Sequence, residues 1–204
     1  MNDRKDKPWD ARLAFLLVYP LRNSAVTPNH LTTVRLGFGV LAGAWLAHGG
    51  YEWGIAGACC FAVSNFLDHA DGELARITGK TSRFGHNYDL ASDAAVNVLL
   101  FVGIGIGQMR AGFGTIAVPM GLAAGIAVAA IFHMRNLIEQ SIGKHDARQP
   151  NIGVIEAEDV LYLLPLVAIT TQLMPFLLLA TVGAPLFAIR VYREYVTLRR
   201  TART

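Results

Sequence analysis

Residues 67–93, LDHADGELARITGKTSRFGHNYDLASD, place four aspartates, two arginines and three glycines between apolar runs of a chain that is otherwise poor in charge. On a helix, positions three and four apart share a face, so Asp68, Asp71, Gly72, Ala75 and Arg76 form one stripe. Gly85, Asp89 and Asp93 form a second stripe beyond a short TGKTS turn. Two antiparallel helices would therefore bring four carboxylates together at a membrane boundary. Ionised carboxylates near hydrocarbon are costly, and four without a partner repel one another. Arg76 alone cannot balance them, and an all-oxygen set suits hard ions such as Mg2+, Mn2+ or Ca2+. One or two divalent ions are expected.

Gly72, Ala75 and Gly85 contribute by lack of bulk, leaving a wall that a planar or phosphate-bearing group can approach. Arg76, one turn after Gly72, can fork onto phosphate oxygens. Metal-binding carboxylates beside an arginine and a bare wall suit a diphosphate, with one carboxylate free to take a hydroxyl proton. Phosphoryl transfer is the reaction class this pattern points to.

The 204 residues are 53% hydrophobic and 16% charged, against about 25% charged in soluble domains. Apolar runs at about 36–51, 53–67, 94–109, 112–132, 160–173 and 175–189 suggest six membrane spans. Positive charge falls on one side: Arg4, Lys5, Lys7, Arg12 and Arg22 before the first span, and Arg76, Lys80 and Arg83 between the second and third. Arg135, Lys144 and Arg148 follow the fourth span, and residues 190–203 form a basic tail, while the opposite loops carry only Arg110. Both termini and the aspartates are thus expected to face the cytoplasm. This distribution by loop, at a net charge of +3, fits anionic lipid and a phosphate-bearing substrate, and no nucleic-acid partner is expected. Cys59 and Cys60, adjacent in an apolar run, are packing residues.

Residues 1–27 are expected to form a cytoplasmic N-terminal segment with an interfacial amphipathic helix anchored by Trp9 and Tyr19, ahead of one helical domain over 28–204. Pro28 and Asn29 mark a helix start, and Gly pairs four apart (Gly39/Gly43, Gly103/Gly107, Gly121/Gly125) predict close helix packing within the chain.

The spacing Asp68-x2-Asp71-Gly72-x2-Ala75-Arg76-x8-Gly85-x3-Asp89-x3-Asp93 resembles the complete signature of the CDP-alcohol phosphotransferases, integral membrane enzymes of phospholipid synthesis. Pro28, Asn29, Thr32 and Arg35 are similar to that family's first span, and the resemblance covers about 28–195. It implies an all-α, six-helix membrane bundle, usually a homodimer, in a membrane such as the bacterial inner membrane. By position, Asp68, Asp71, Asp89 and Asp93 would bind Mg2+ or Mn2+, two ions in all, with Asp93 also the base. Gly72, Ala75, Arg76 and Gly85 would contact the nucleotide and diphosphate, with Asn29, Thr32 and Arg35 as further pocket residues.

The expected reaction moves a phosphatidyl group from CDP-diacylglycerol to a small polar alcohol with release of CMP. The alternative direction moves a headgroup from a CDP-amino alcohol to diacylglycerol. Arg135, Lys144 and Arg148 could receive an anionic acceptor, and Glu156, Glu158 and Asp159 a cationic one. A divalent-cation carrier is the competing class, disfavoured because the carboxylates cluster at one end of the apolar runs. A prenyltransferase would release diphosphate and lacks the DG-x2-AR unit.

Overall fold

The computed structural model describes residues 9–142 and 159–201, and these are helical with short connections. Helix α1 (Trp9–Val18) runs into a 3-10 turn (Tyr19–Asn23), followed by α2 (Pro28–His48), α3 (Tyr51–Thr78), α4 (Arg83–Gln108) and α5 (Ala117–Ile142). Two short helices, α6 (Asp159–Tyr162) and α7 (Leu164–Ile169), precede α8 (Leu173–Thr201). Among the described residues, three helical stretches, Arg83–Phe113, Ala117–Gln140 and Leu173–Arg200, are long and apolar enough to cross a membrane.

Five of the six expected apolar runs fall mainly in the long helices α2, α3, α4, α5 and α8; the sixth does not form one helix. The 160–173 run is divided between α6 and α7, with Leu163 between them, and then by Thr170–Gln172 before α8 begins. Pro165, in the first turn of α7, lacks the N–H and the space to continue an incoming helix. Thr171 adopts a left-handed backbone at φ 59°, unusual for a β-branched residue, and ends α7. The expected count of six spanning helices is therefore not reproduced by helix length.

The α1 helix is present, and apolar residues lie on both its buried and its exposed sides. Ala14 and Val18 are buried against Ala70 and Leu74 of α3, while Leu13, Leu16 and Leu17 are exposed on the other side. Trp9 lies in the helix and Tyr19 begins the 3-10 turn, where Arg22 lies over the Tyr19 ring at 3.9 Å.

At α2 the start signal is direct: Pro28 is the first helical residue and the Thr27 N–H donates to His30 Nδ1 at 3.2 Å. Helices α2, α3, α4 and α5 pack through small residues. A side chain at Gly43 would stand 2.9 Å from the Leu99 carbonyl of α4, and one at Gly125 would stand 2.9 Å from Val98 Cα. These glycines serve close approach between helices of the same chain. A core of Leu46, Phe61, Leu100, Phe101 and Ile104 fills the space between α2, α3 and α4. The consequence for function is rigidity at one end, where α3 continues through the aspartates to Thr78. Gly79 then turns the chain at φ 65°, and Ser82 caps α4 by accepting the Gly85 N–H at 2.9 Å.

Candidate active site

The helices α3 and α4, joined by residues 79–82, bring the two aspartate stripes face to face. One oxygen from each of Asp68, Asp71 and Asp89 lies within 4.8 Å of the other two. Such a set of hard oxygen donors, one of them buried, fits a divalent cation. Asp93 is not one of this trio, and its Oδ1 accepts from Arg35 Nη2 at 2.7 Å.

Arg35 is the main departure from the sequence reading. It was expected to contact the nucleotide, but its side chain is buried among the aspartates. Nη1 pairs with Asp68 and, at 3.1 Å, with Asp89; Nη2 pairs with Asp93. The physical reason is charge: a guanidinium one turn beyond Thr32 on α2 is the nearest fixed cation to four carboxylates, and an unpaired charge there is prohibitively costly. Ser64 of α3 donates to the Arg35 carbonyl at 2.9 Å and ties α2 to α3 at this level. Thr32 also turns to the carboxylates, donating to Asp71 Oδ2 at 2.8 Å. Its position in the T-x2-R pattern could have signalled both contacts.

Two cavities flank the cluster. One, of about 160 Å³, is lined by Asn29, Thr32, Asp71, Gly72, Ala75 and Gly85, together with Lys80, His86 and Asp89. Five of the expected nucleotide-pocket residues thus share a wall. At Gly85 any Cβ would stand 2.8 Å from Asn29 Oδ1, so glycine is what leaves this wall open. Lys80 reaches back to the Ser24 carbonyl at 3.3 Å, and His86 contacts Gln140 at 3.1 Å. Arg76 lies beside Gly72 rather than in this wall. Its side chain is 55% exposed and pairs with the buried Glu73 at 3.5 Å. Glu73 is buried, where an unpaired carboxylate would be costly, and this favours the pairing.

The second cavity, of about 220 Å³, lies between α3, α4 and α5. Asp68 and Asp93 form part of its wall, with Asn65, Asn97, His133, Arg135, Asn136 and Glu139. Arg135 is therefore brought to the site, where Nη1 also pairs with Glu194 of α8 at 3.3 Å. Lys144, Arg148, Glu156 and Glu158 lie outside the described residues, as do the side chain of Asp159 and the basic residues before Trp9. Sequence reasoning missed Asn65, Asn97, Asn136, Glu139 and Glu194. A signal was present: Asn65 precedes Asp68 by three and Asn97 follows Asp93 by four, so each aspartate stripe continues one turn into the apolar run. His69, also adjacent to the motif, stacks on Tyr162 at 6.3 Å.

A model of the CDP-alcohol phosphatidyltransferase family matches residues 25–197. The archaetidylinositol phosphate synthase of Pyrococcus horikoshii is 35% identical over 93 residues, 44% of this chain and 46% of that protein, so the match spans under half the relative's length. The fold is similar to two crystal structures of Mycobacterium tuberculosis phosphatidylinositol phosphate synthase (PgsA1). The one with CDP-DAG bound gives a TM-score of 0.61 at 22% identity, covering 93% of each chain. The one in complex with manganese and citrate gives 0.59 at 22% identity, covering 94% of this chain and 89% of that one. At that identity the likeness speaks for the fold.

Proposed function

Because this chain belongs to the CDP-alcohol phosphatidyltransferase family, we propose that it transfers a phosphatidyl group from CDP-diacylglycerol to a small polar alcohol, releasing CMP. The observation that carries the reading is the placement of the aspartates between two cavities: Asp71 and Asp89 open to one, Asp68 and Asp93 to the other. The cavity with the bare Gly72, Ala75 and Gly85 wall takes the nucleotide end of the donor, with Asn29 and Thr32. The α5 side takes the acceptor, with Arg135; Lys144 and Arg148, read from the sequence for the same role, lie outside the described residues.

Asp68, Asp71 and Asp89 would hold Mg2+ or Mn2+, which when bound neutralises charge on the diphosphate and its leaving group. Around that centre the chain's own groups have distinct tasks. Thr32 orients Asp71 through its hydroxyl, and Arg35 holds Asp89 and Asp93 in place. Arg76 exchanges Glu73 for a diphosphate oxygen, a swap that its exposure permits. Asp93 faces the acceptor side and accepts the hydroxyl proton. The freed electron pair on that oxygen bonds to the lipid-bearing phosphorus, the bond from that phosphorus to the CMP oxygen breaks, and CMP leaves with its electrons.

The fold similarity to a protein with CDP-DAG bound supports this donor over a CDP-amino alcohol. The site lies at the end of the bundle where Arg76, Lys80 and Arg83 cluster, which supports a cytoplasmic orientation. The test is CMP release by the purified chain in lipid with Mg2+. Release with CDP-diacylglycerol plus an alcohol supports the reading. Release only from CDP-ethanolamine or CDP-choline with added diacylglycerol would reverse the direction of transfer.

A further inference from the structure

The wall of the smaller cavity holds a cation that no carboxylate neutralises. Lys80 belongs to that wall, which contains no other lysine or arginine but does contain Asp71 and Asp89. Both aspartates are engaged elsewhere: Asp71 Oδ2 accepts from Thr32, and Asp89 Oδ1 from Arg35. Among the described residues the Lys80 ammonium donates only to the Ser24 carbonyl, at 3.3 Å. Two of its three protons are left for other acceptors. Lys80 is exposed whereas Asp71 is buried, so the ammonium stands on the solvent side of this wall. Ser24 lies on the connection into α2, whose first residues Pro28 and Asn29 also line the cavity. The lysine stem thus runs from the 79–82 turn to the entry of α2. Its backbone is held, since the Lys80 N–H donates to Thr78 Oγ1 at 3.4 Å and the Thr81 N–H to the Gly79 carbonyl at 3.0 Å. Moving the ammonium therefore takes side-chain rotation alone. A solvent-exposed bond to a neutral carbonyl is weak, and an ionised acceptor forms one roughly twice as strong.

Resting on the transferase reading above, we propose that Lys80 is a further donor-binding residue, which leaves the Ser24 carbonyl to pair with the ribose-bearing phosphate. Asp68 and Asp93 border the acceptor cavity, so the lipid-bearing phosphorus lies on their side. The ribose-bearing phosphate then lies on the side of Asp71 and Asp89, in the cavity that Lys80 lines. Arg76 is outside that wall and paired with Glu73, which leaves Lys80 as the wall's own positive charge. A lysine suits the place, because a compact charge on a flexible stem can follow a phosphate as it departs. In the donor that phosphate is singly charged. When its bond to the other phosphorus breaks it keeps the electron pair, and as CMP it carries about −1.5 to −2 at pH 7. The attraction to Lys80 grows accordingly. An anionic lipid surface also attracts an exposed lysine, and a soluble nucleotide separates the two roles.

The experiment uses the full chain in detergent with Mg2+ and reads the binding of CMP and of cytidine by the shift in unfolding temperature. The same proteins are assayed in lipid for CMP release from CDP-diacylglycerol with the acceptor that supports it. Lys80→Met keeps the stem and removes the charge. It should weaken CMP about tenfold, the lower end of what a hydrogen bond to a charged group contributes, and leave cytidine within about twofold. The donor KM should rise about threefold, less than the loss for CMP because the donor phosphate carries less charge, with the acceptor KM unchanged. Lys80→Arg keeps the charge and should bring CMP back to within about threefold of wild type. Unfolding temperatures without nucleotide should match wild type, because Lys80 is exposed. Equal loss of CMP and cytidine overturns the inference, since the lysine would then serve the nucleoside or the shape of the cavity. CMP affinity unchanged in Lys80→Met overturns it too, and a donor KM that rises only in vesicles containing anionic lipid would then assign Lys80 to the membrane surface. A wild-type chain that binds neither CMP nor CDP-diacylglycerol would instead contradict the transferase reading on which the inference rests.

Discussion

The cavity on the α2 side of the aspartates is walled by missing side chains, and the one on the α5 side by amides and an arginine. Gly72, Ala75 and Gly85 open the first to a bulky flat group, with Asn29 and Thr32 as its polar edge. Asn65, Asn97, Asn136 and Arg135 give the second a dense set of hydrogen-bonding groups around a smaller ligand's requirements. A wall made by absence of bulk tolerates one shape shared across donors. A wall made of directed polar groups discriminates, because a ligand without the matching groups leaves them buried and unpaired. On the function proposed above, the two cavities divide the work, one for the common nucleotide and one for the individual acceptor.

The sharpest way to break this division is at the carboxylates that stand between the two cavities. Asp93→Asn removes the proposed base while keeping size, and CMP release should fall by about 10²- to 10⁴-fold. Donor binding should persist, since the nucleotide cavity is lined by Asp71 and Asp89 rather than Asp93. Loss of donor binding would show that Asp93 belongs to the nucleotide side instead.

Arg35→Gln comes next and tests the cation that holds the two sides together. Removing it leaves Asp68, Asp89 and Asp93 without their buried partner, at a cost of about 3–5 kcal/mol to the fold. Unfolding temperature in detergent should drop, and added Mg2+ should restore more of it than in wild type, because the carboxylates are left with excess charge. Equal Mg2+ response in both proteins would argue that Arg35 and a metal do not share these ligands.

Gly85→Ala sharpens the comparison from the donor side alone. The added methyl meets Asn29 Oδ1 at 2.8 Å and Ser82 Oγ at 3.1 Å. The KM for CDP-diacylglycerol should rise about tenfold, as for a misplaced methyl in a fitted pocket, with acceptor KM unchanged. A parallel rise in both would mean the cavities are not independent. The smallest effect is expected for Glu194→Gln. Glu194 is 41% exposed, so its pair with Arg135 contributes less than about 1 kcal/mol and the acceptor KM should move by threefold or less.

The same comparison marks what was legible in the sequence. Asp68, Asp71, Asp89 and the bare Gly72 and Gly85 were readable because helical periodicity projects them onto facing stripes. That projection needs no knowledge of which other helix lies opposite. The pairing of Arg35 with the carboxylates, and the approach of Asn136 and Glu139 to them, required the packing of α2 and α5 against α3 and α4, which periodicity does not specify. Arg35 was read as a pocket residue together with Asn29 and Thr32, whereas burial and charge direct its guanidinium to the carboxylates. The 160–173 run was read as a span by hydropathy, but Pro165 and the left-handed Thr171 divide it into short helices. Hydropathy sums a window and cannot weigh a single backbone break inside it. Asn65 and Asn97 were within reach, since each lies one turn beyond a motif aspartate.

The most direct test of direct transfer between the two cavities is a single-turnover measurement. Enzyme in excess is mixed with CDP-diacylglycerol and Mg2+, with and without the acceptor that supports release. The account predicts CMP only when acceptor is present, one CMP for each phospholipid formed, and neither with Asp93→Asn. A stoichiometric burst of CMP without acceptor would contradict it, because the lipid phosphate would then have moved to the enzyme or to water first.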